Sequence, residues 1–537
     1  MTETKGAPQT KSTVSAKTSE SGAQLVAAGI LLSRLSGFVR QWVFARFFGN
    51  SDAGDAFYSA LKIPNFLQNL FGEGVLSASF IPVYARFLSR DEHEEADRVA
   101  RVIGSVLALA MAILTLGGIL ATPLLIELIA PGFEGEKRDL TIRLVQIFFP
   151  GTALLVLSAW CLGILNSHRK FFLSYAAPVV WNAAIVATLL FFGPRDGQSA
   201  LAVHTAWGLV AGSALQFGVQ LPSTLRFLKR RRFDFSTRID SARTVFRNFV
   251  PVVAARGVVQ ISAYVDNVLA SYLPSGAVSG LAYAQSLYML PISLFGMAVS
   301  AAELPAMSSA KGTAEEVGAY LRARIEAGSR QVAFFIVPTI LAFFALGDVI
   351  VSALFQSGAF TAKDSRAVWI ILAGSTIGLL ATTLGRLYSS AFYSLQDAKT
   401  PLRAATVRVT LTIALGYLCG LKVPGWLGVD AAYGTVGLTA SAGFSGWVEF
   451  LILRRRLARR IGRAEISPAY LAKLWFAGAL AVGVGYVAKL SVAGLHPPIL
   501  RAVAVLPPTG LVYFAVTTAF GMDHALRFIP ARFRRKK

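Results

Sequence analysis

The sequence predicts an all-α polytopic membrane protein with about fourteen transmembrane helices. Three observations predict it. Of 537 residues, 54% are hydrophobic and only 15% charged, against roughly 25% charged in soluble globular chains, and the mean hydropathy is +0.56. Apolar segments of about 20 residues, the length that crosses a bilayer as a helix, recur along the whole chain. The links between them alternate between strongly basic and nearly uncharged, which is the pattern of the positive-inside rule.

The elements follow in chain order. Residues 1–23 begin "MTETKGAPQTKSTVSAKTSE", are polar and lack an apolar signal-peptide core, so they are expected to form a disordered cytoplasmic tail. Spans at 24–48, 54–85, 102–130, 141–166, 171–192 and 200–221 make an N-lobe, 24–222. A basic link, 223–245, carries "KRRR" at 229–232. A C-lobe, 246–453, holds spans at 246–272, 280–304, 331–355, 366–393, 401–421 and 430–453. The link 454–469 contains "RRRLARRIGR", region 470–522 holds spans at 470–492 and 499–522, and a basic tail fills 523–537. By contrast "GNSDAG" (49–54) and "PSGAVSG" (274–280) carry no basic residue. Both termini are therefore expected in the cytoplasm.

The formal charge of +23 first suggests a nucleic-acid partner. Its distribution among short links between spans assigns it instead to orientation and to contact with anionic lipid, with no nucleic acid. Cys161 and Cys419 lie in apolar runs, and the five histidines fit no metal or catalytic motif, so no metal or cofactor is expected.

The chain also resembles itself. "LFGEGVLSASFIP" (70–82) is similar to "LFGMAVSAAELP" (294–305), and "PGFEGEKRDLTIRLVQIF" (131–148) to "SGAFTAKDSRAVWIILAG" (357–374). Both matches are offset by roughly 225 residues and fall in spans or links of the same parity. Chance likeness between Gly- and Ala-rich helices would not share one offset. The repeat implies two parallel six-helix lobes around a central cavity, plus two C-terminal helices.

Charge inside the spans marks the candidate site. "LLSRLSGFVRQWVFARFF" (31–48) carries Arg34, Arg40 and Arg46, and a central Arg costs about 2.5–3.5 kcal/mol on insertion scales. A spacing of six turns a helix by about 240°, so the three point in different directions. Arg46, near the outer end, can snorkel. Arg34 and Arg40 lie deeper and need a wet cavity or a carboxylate partner. In span two, Asp55 and Lys62 are seven apart and share a face, to which Glu73 returns if the helix is continuous. Pro64, Gly72 and Gly74 can break it, and a broken helix beside charges is how transporters build midplane sites. An internal ion-pair network joining spans one and two is the alternative. In span seven, Asp266 can hold a cation or proton, or pair with a neighbour such as Arg256. No catalytic carboxylate pair or metal site accompanies these groups, so no enzyme is expected.

"SRLSGFVRQWVFARFFG" (33–49), "DAFYSALKIPNFLQNLFGEGVLSASFIPVYARF" (55–87), "PGF" (131–133) and "AFYSLQDAKTP" (391–401) together resemble the MviN/MurJ family of bacterial lipid II flippases. The resemblance implies a V-shaped pair of lobes in the cytoplasmic membrane that carries an undecaprenyl-diphosphate-linked disaccharide pentapeptide, lipid II, outward by alternating access. It implies substrate-binding roles for Arg34, Arg40, Asp55, Lys62, Asn65 and Glu73, and a cation-binding acid near Asp266. It also implies coupling to a monovalent cation or the membrane potential, and contact with cell-wall synthesis machinery. Where relatives carry arginines on spans two and eight, this chain has Gln68 and Ser286, and Gln41 stands where an Asp is usual. Arg256 is expected to compensate. Another polyprenyl-diphosphate-linked glycan, or a cation-coupled exporter of the related multidrug type, remains the alternative cargo class.

The basic-link asymmetry makes a direct prediction. Reporters fused after Lys537 or inserted near Arg231 read as cytoplasmic, and one inserted near Ser275 reads as periplasmic, in paired phosphatase and fluorescence fusions. Arg231 and Ser275 on the same side would refute the span count.

Overall fold

A computed structural model describes residues 11–228, 234–235, 243–245, 247, 249, 253, 264–495 and 497–526. These residues are almost entirely helical. The chain opens with α1 (Lys11–Phe48), followed by four short helices: α2 (Asp52–Ala60), α3 (Lys62–Phe71), α4 (Glu73–Ser79) and α5 (Ile81–Ser89). Eleven helices among the described residues are long and apolar enough to cross a membrane. They are α6 (His93–Ile129), α7 (Gly135–Ser167), α8 (Phe171–Phe192), α9 (Gln198–Leu225), α10 (Ala277–Ser308), α11 (Ala314–Phe355), α12 (Ala362–Ser394), α13 (Lys399–Leu427), α14 (Ala431–Ile461), α15 (Pro468–Ser491) and α16 (Pro498–Ala519).

Each of the eleven meets one expected span, from the third to the sixth and from the eighth to the fourteenth. The other three expected spans are not among them. The first span lies in α1; the second is divided among α2–α5; and the seventh falls mostly outside the described residues. The expected disordered tail is corrected in part. Residues 11–23 continue α1, a helix of 38 residues, about 57 Å long. That stretch holds no proline, and its only glycine is Gly22, so polarity alone did not break the helix.

Contacts sort the chain into two compact units. The first comprises Met1–Phe47, Ala56–Ile129 and Phe133–Tyr264; the second comprises Phe48–Asp55, Ala130–Gly132 and Val265–Lys537. The division falls at 264/265, inside the expected seventh span, whereas span counting places it in the link 223–245. Tyr264 explains its own side: its hydroxyl donates to the Lys62 carbonyl at 2.8 Å, and its ring meets Phe66 edge-on at 5.7 Å.

In the first unit, Val99, Ala100, Ile103, Leu107 and Met111 of α6 are buried against Phe80, Tyr84 and Phe87 and against Trp160 and Ile164 of α7. The opposite face of α6 exposes Leu109, Ile113, Leu116, Leu120, Leu124 and Leu128. Spacings of three and four place these on one stripe, an apolar face suited to lipid. The charged end of α6 accounts for its extension to His93: Arg101 pairs with Asp97 at 3.0 Å and with Asp234 at 3.5 Å.

The second unit is built around α12, one of the most enclosed helices, against α14. α11 and α12 each start at a capping box, Thr313 with Glu316 and Thr361 with Asp364, which satisfies backbone N–H groups the helix leaves open. Two ion pairs lie within its spans, Arg408 with Glu449 at 3.2 Å and Lys489 with Asp348 at 2.8 Å. α15 and α16 set Val482, Ala502 and Val505 against Leu346 and Val349 of α11, and the Tyr513 hydroxyl donates to the Phe334 carbonyl at 2.6 Å. The sequence repeat has a structural counterpart. Its first copy is interrupted at Gly72, and its second contains a π-helical turn, Ile292–Met297, around the matching Gly296. Both copies depart from a regular α-helix at the same Leu-Phe-Gly.

Gly378 of α12 faces Gly443 of α14, and a Cβ on Gly378 would lie 2.4 Å from the Gly443 Cα. Backbone cannot swing aside as a flexible side chain can. Gly378→Val is expected to destabilise the chain by about 1–3 kcal/mol, seen as a lower melting temperature in detergent. Gly385→Ala on the same helix, where a Cβ meets nothing within 4 Å, serves as the neutral control.

Candidate functional site

The first unit carries most of the charge expected of a site. On α1, Arg34 and Arg46 are exposed and Arg40 is half-buried. The guanidinium carbon of Arg40 lies 5.0 Å from the centroid of the Trp181 ring on α8, and Arg40 Nε is buried without a hydrogen-bond partner. Next to Trp181, the buried Asn182 donates through Nδ2 to Ser36 Oγ at 2.9 Å, and Ser36 donates to the Ser33 carbonyl at 2.9 Å. These polar groups tie α1 to α8 beside the arginine.

The second span carries most of the other expected residues. It breaks at Leu61, at Gly72 and again at Phe80; of the three residues expected to break it, Gly72 marks a break, Pro64 lies three residues past one, and Gly74 sits inside α4. Gly72 adopts φ −88° and ψ −152°, and its N–H donates to the Gln68 carbonyl at 2.7 Å. A Cβ there would sit 2.2 Å from that carbonyl oxygen, so the break needs glycine. The break leaves an open cleft of about 360 Å³, lined by Gln68, Asn69, Glu73, Gly74 and Ser77. Among the described residues its lining has amides, a hydroxyl and one carboxylate but no basic side chain. Asn65 and Glu73 are exposed and Lys62 is half-buried.

Asp55 requires a correction. Spacing placed it on one face with Lys62, and the resemblance implied a substrate contact. Instead it is buried, and its carboxylate accepts from Gly276 N at 2.8 Å, Ser279 N at 2.7 Å and Ser279 Oγ at 2.7 Å. It caps the start of α10, and its oxygens are taken. Helical spacing cannot foresee this, because the breaks in the span end the common face. Gly276 completes the turn with φ +87°, where a Cβ would fall 2.9 Å from the Asn50 Cβ.

On α10, Gln285 is exposed and Ser286 donates to the Tyr283 carbonyl at 2.6 Å. Asp266 is exposed, while Arg256 lies outside the described residues. The sequence reading missed four residues: Asn69 and Ser77, which line the cleft, and Trp181 and Asn182 beside Arg40. A signal existed for the last pair, since an amide in the middle of an apolar span is costly and marks function or packing.

Known proteins share the fold. A family model described as "Lipid II flippase MurJ" matches residues 44–500. The lipid II flippase MurJ of Burkholderia cenocepacia is 31% identical over 517 residues, covering 94% of this chain and 97% of the relative. A probable lipid II flippase MurJ of Rhizobium tropici is 31% identical over 523 residues, covering 92% and 93%. A solved lipid II flippase MurJ in an inward closed conformation superposes with a TM-score of 0.76 at 25% identity, covering 93% of this chain and 99% of that one. An inward-facing multidrug resistance MATE family transporter of the MOP superfamily shares the fold, with a TM-score of 0.63 at 18% identity, over 80% of this chain and 95% of that one. This chain is an all-α, multi-pass membrane protein that belongs to the MurJ lipid II flippase family.

Proposed function

We propose that this chain is a flippase that carries lipid II from the inner to the outer leaflet of the bacterial cytoplasmic membrane by alternating access. The observation that carries the reading is Arg40, a guanidinium in an apolar span whose Nε is buried without a hydrogen-bond partner. Such a group is expensive unless a ligand meets it, and a diphosphate offers the two-pronged acceptor that guanidinium geometry favours. The cleft at the broken second span, with its amides, hydroxyl and carboxylate, suits the hydroxyls and amides of a sugar or peptide headgroup. Exposed Arg34, Asn65 and Glu73 and half-buried Lys62 remain candidate contacts for the same cargo. Nothing in this role calls for a chemical reaction.

Asp266 is the candidate ligand of a coupling cation, with the membrane potential as the other source of drive. Basic links face the cytoplasm and its anionic lipids, with both termini on that side, and cell-wall synthesis enzymes are the natural recipients of the cargo. A second reading has its own observation. Gln68 and Ser286 stand where the family resemblance implies two arginines, which favours a different polyprenyl-diphosphate-linked glycan if no other cation compensates.

In cells depleted of their own flippase, this chain is expected to restore lipid II at the outer leaflet, measured by labelling from outside. Arg40→Ala abolishes that restoration at normal membrane abundance, and Arg40→Lys recovers only part of it. Full activity of Arg40→Ala would make Arg40 structural and remove the basis of the reading.

The missing arginines give a further test. Arg256→Ala is expected to impair lipid II transport about as much as Arg40→Ala, and Gln68→Arg added to it restores part of the loss. One charge-assisted contact, about 1.5–3 kcal/mol, corresponds to at least about a tenfold change in affinity. A silent Arg256→Ala in a chain that still moves lipid II would show that Arg256 does not compensate.

A further inference from the structure

The cleft at Gly72 is lined by side chains that the break itself does not require. The chain makes the same departure from a regular helix twice, at Leu70-Phe71-Gly72 and at Leu294-Phe295-Gly296. The second copy does so with Ile292 and Met297 where the first has Gln68 and Glu73. Met297 is 45% exposed, so one copy presents an apolar side chain at the place where the other presents a carboxylate. The backbone of the first break is also met from within: the Gly72 N–H donates to the Gln68 carbonyl at 2.7 Å, and the N–H groups of Val75 and Leu76 donate to the Gly72 carbonyl at 3.2 and 3.1 Å. An acid in a span that neither the turn nor the repeat demands is costly, and such acids mark function.

The lining selects the ligand. Among the described residues, Glu73 is the one charged group around the cleft of about 360 Å³, and Gln68, Asn69 and Ser77 add two amide oxygens and a hydroxyl oxygen. All four side chains accept hydrogen bonds, and a primary ammonium brings three donors together with the opposite charge. A diphosphate brings only acceptors and a charge of the same sign as the lining, so it is disfavoured here. Neutral hydroxyls fit the amides and Ser77 but gain nothing from the charge.

We propose that this cleft is a cation subsite that takes a primary ammonium on the peptide of the cargo, with Glu73 as counter-charge and Gln68, Asn69 and Ser77 as further acceptors. In a polyprenyl-diphosphate-linked disaccharide pentapeptide the lipid chain is apolar, the linkage is anionic and the sugars carry hydroxyls and acetamides. Only the peptide supplies an amine, on the side chain of a diamino acid. The subsite therefore reads that amino group, apart from whatever meets the diphosphate. This assignment rests on the flippase reading for the identity of the cargo, and on the lining of the cleft for the chemistry.

The test uses the purified full chain in lipid nanodiscs, with three probes: lipid II bearing a free diamino-acid amine, the same lipid II with that amine acetylated, and a polyprenyl diphosphate without a headgroup. The wild type is expected to bind the free-amine form about fivefold more tightly than the acetylated form, the upper value for an ion pair open to solvent. The preference shrinks as salt is raised. Glu73→Gln abolishes it while leaving the affinities for the acetylated form and for the polyprenyl diphosphate unchanged, and Glu73→Asp keeps part of it. Equal wild-type affinity for the two forms of lipid II would overturn the proposal without recourse to any variant. A preference that survives in Glu73→Gln would overturn it as well. A wild type that prefers the free amine through Glu73 but moves no lipid II in cells would support the subsite and refute the flippase reading; one that moves lipid II with no such preference would refute the subsite alone.

Discussion

A guanidinium inside an apolar span has to be met by a counter-charge, by water or by a π face, and that requirement organises the first unit. Arg40 is met by Trp181 on one side. Everything next to it serves the same end: the amide of Asn182, the hydroxyl of Ser36, and the hydrogen bond that fastens α8 to α1. The second unit solves the same problem differently. There Arg408 faces Glu449, and Lys489 faces Asp348, each cation with its own carboxylate. A paired charge is a structural element, whereas an unpaired one is available to a ligand.

The second constraint is the backbone. Within hydrocarbon each N–H and C=O must be satisfied internally, so a helix can break only where something else meets the freed groups. At Lys62 the freed carbonyl receives the Tyr264 hydroxyl, and at Gly72 the N–H turns back to Gln68. The π-helical turn at the matching position of α10 shows that the irregularity belongs to the repeat and not to one copy.

Much of the fold was legible because span length and charge asymmetry are strong, one-dimensional signals. Eleven spans emerge within a few residues of their expected cores, and their extensions, such as α6 back to His93, are polar ends that no hydropathy window includes. The break in span two was legible from Pro64 and Gly72. What stayed hidden were partnerships across sequence distance. Asp55 looked like a site residue because spacing describes one helix, while its oxygens are bound by Gly276 and Ser279 more than two hundred positions away. Trp181 was hidden for the opposite reason: in a span rich in large apolar residues, an indole reads as lipid-facing until a cation is seen above it.

The weakness of the first two spans bears on how the chain enters the membrane. α1 carries three arginines and the next span is broken into short pieces, so neither offers the translocation machinery the continuous apolar stretch that partitions readily into lipid. Among the described residues, α6 is the first helix long and apolar enough to cross a membrane. The earliest helices therefore depend on later ones, or on each other as a hairpin, to be retained in the bilayer. The charge in its first span makes its own N-terminus a reluctant membrane segment, and its birth an assembly problem as much as a folding one.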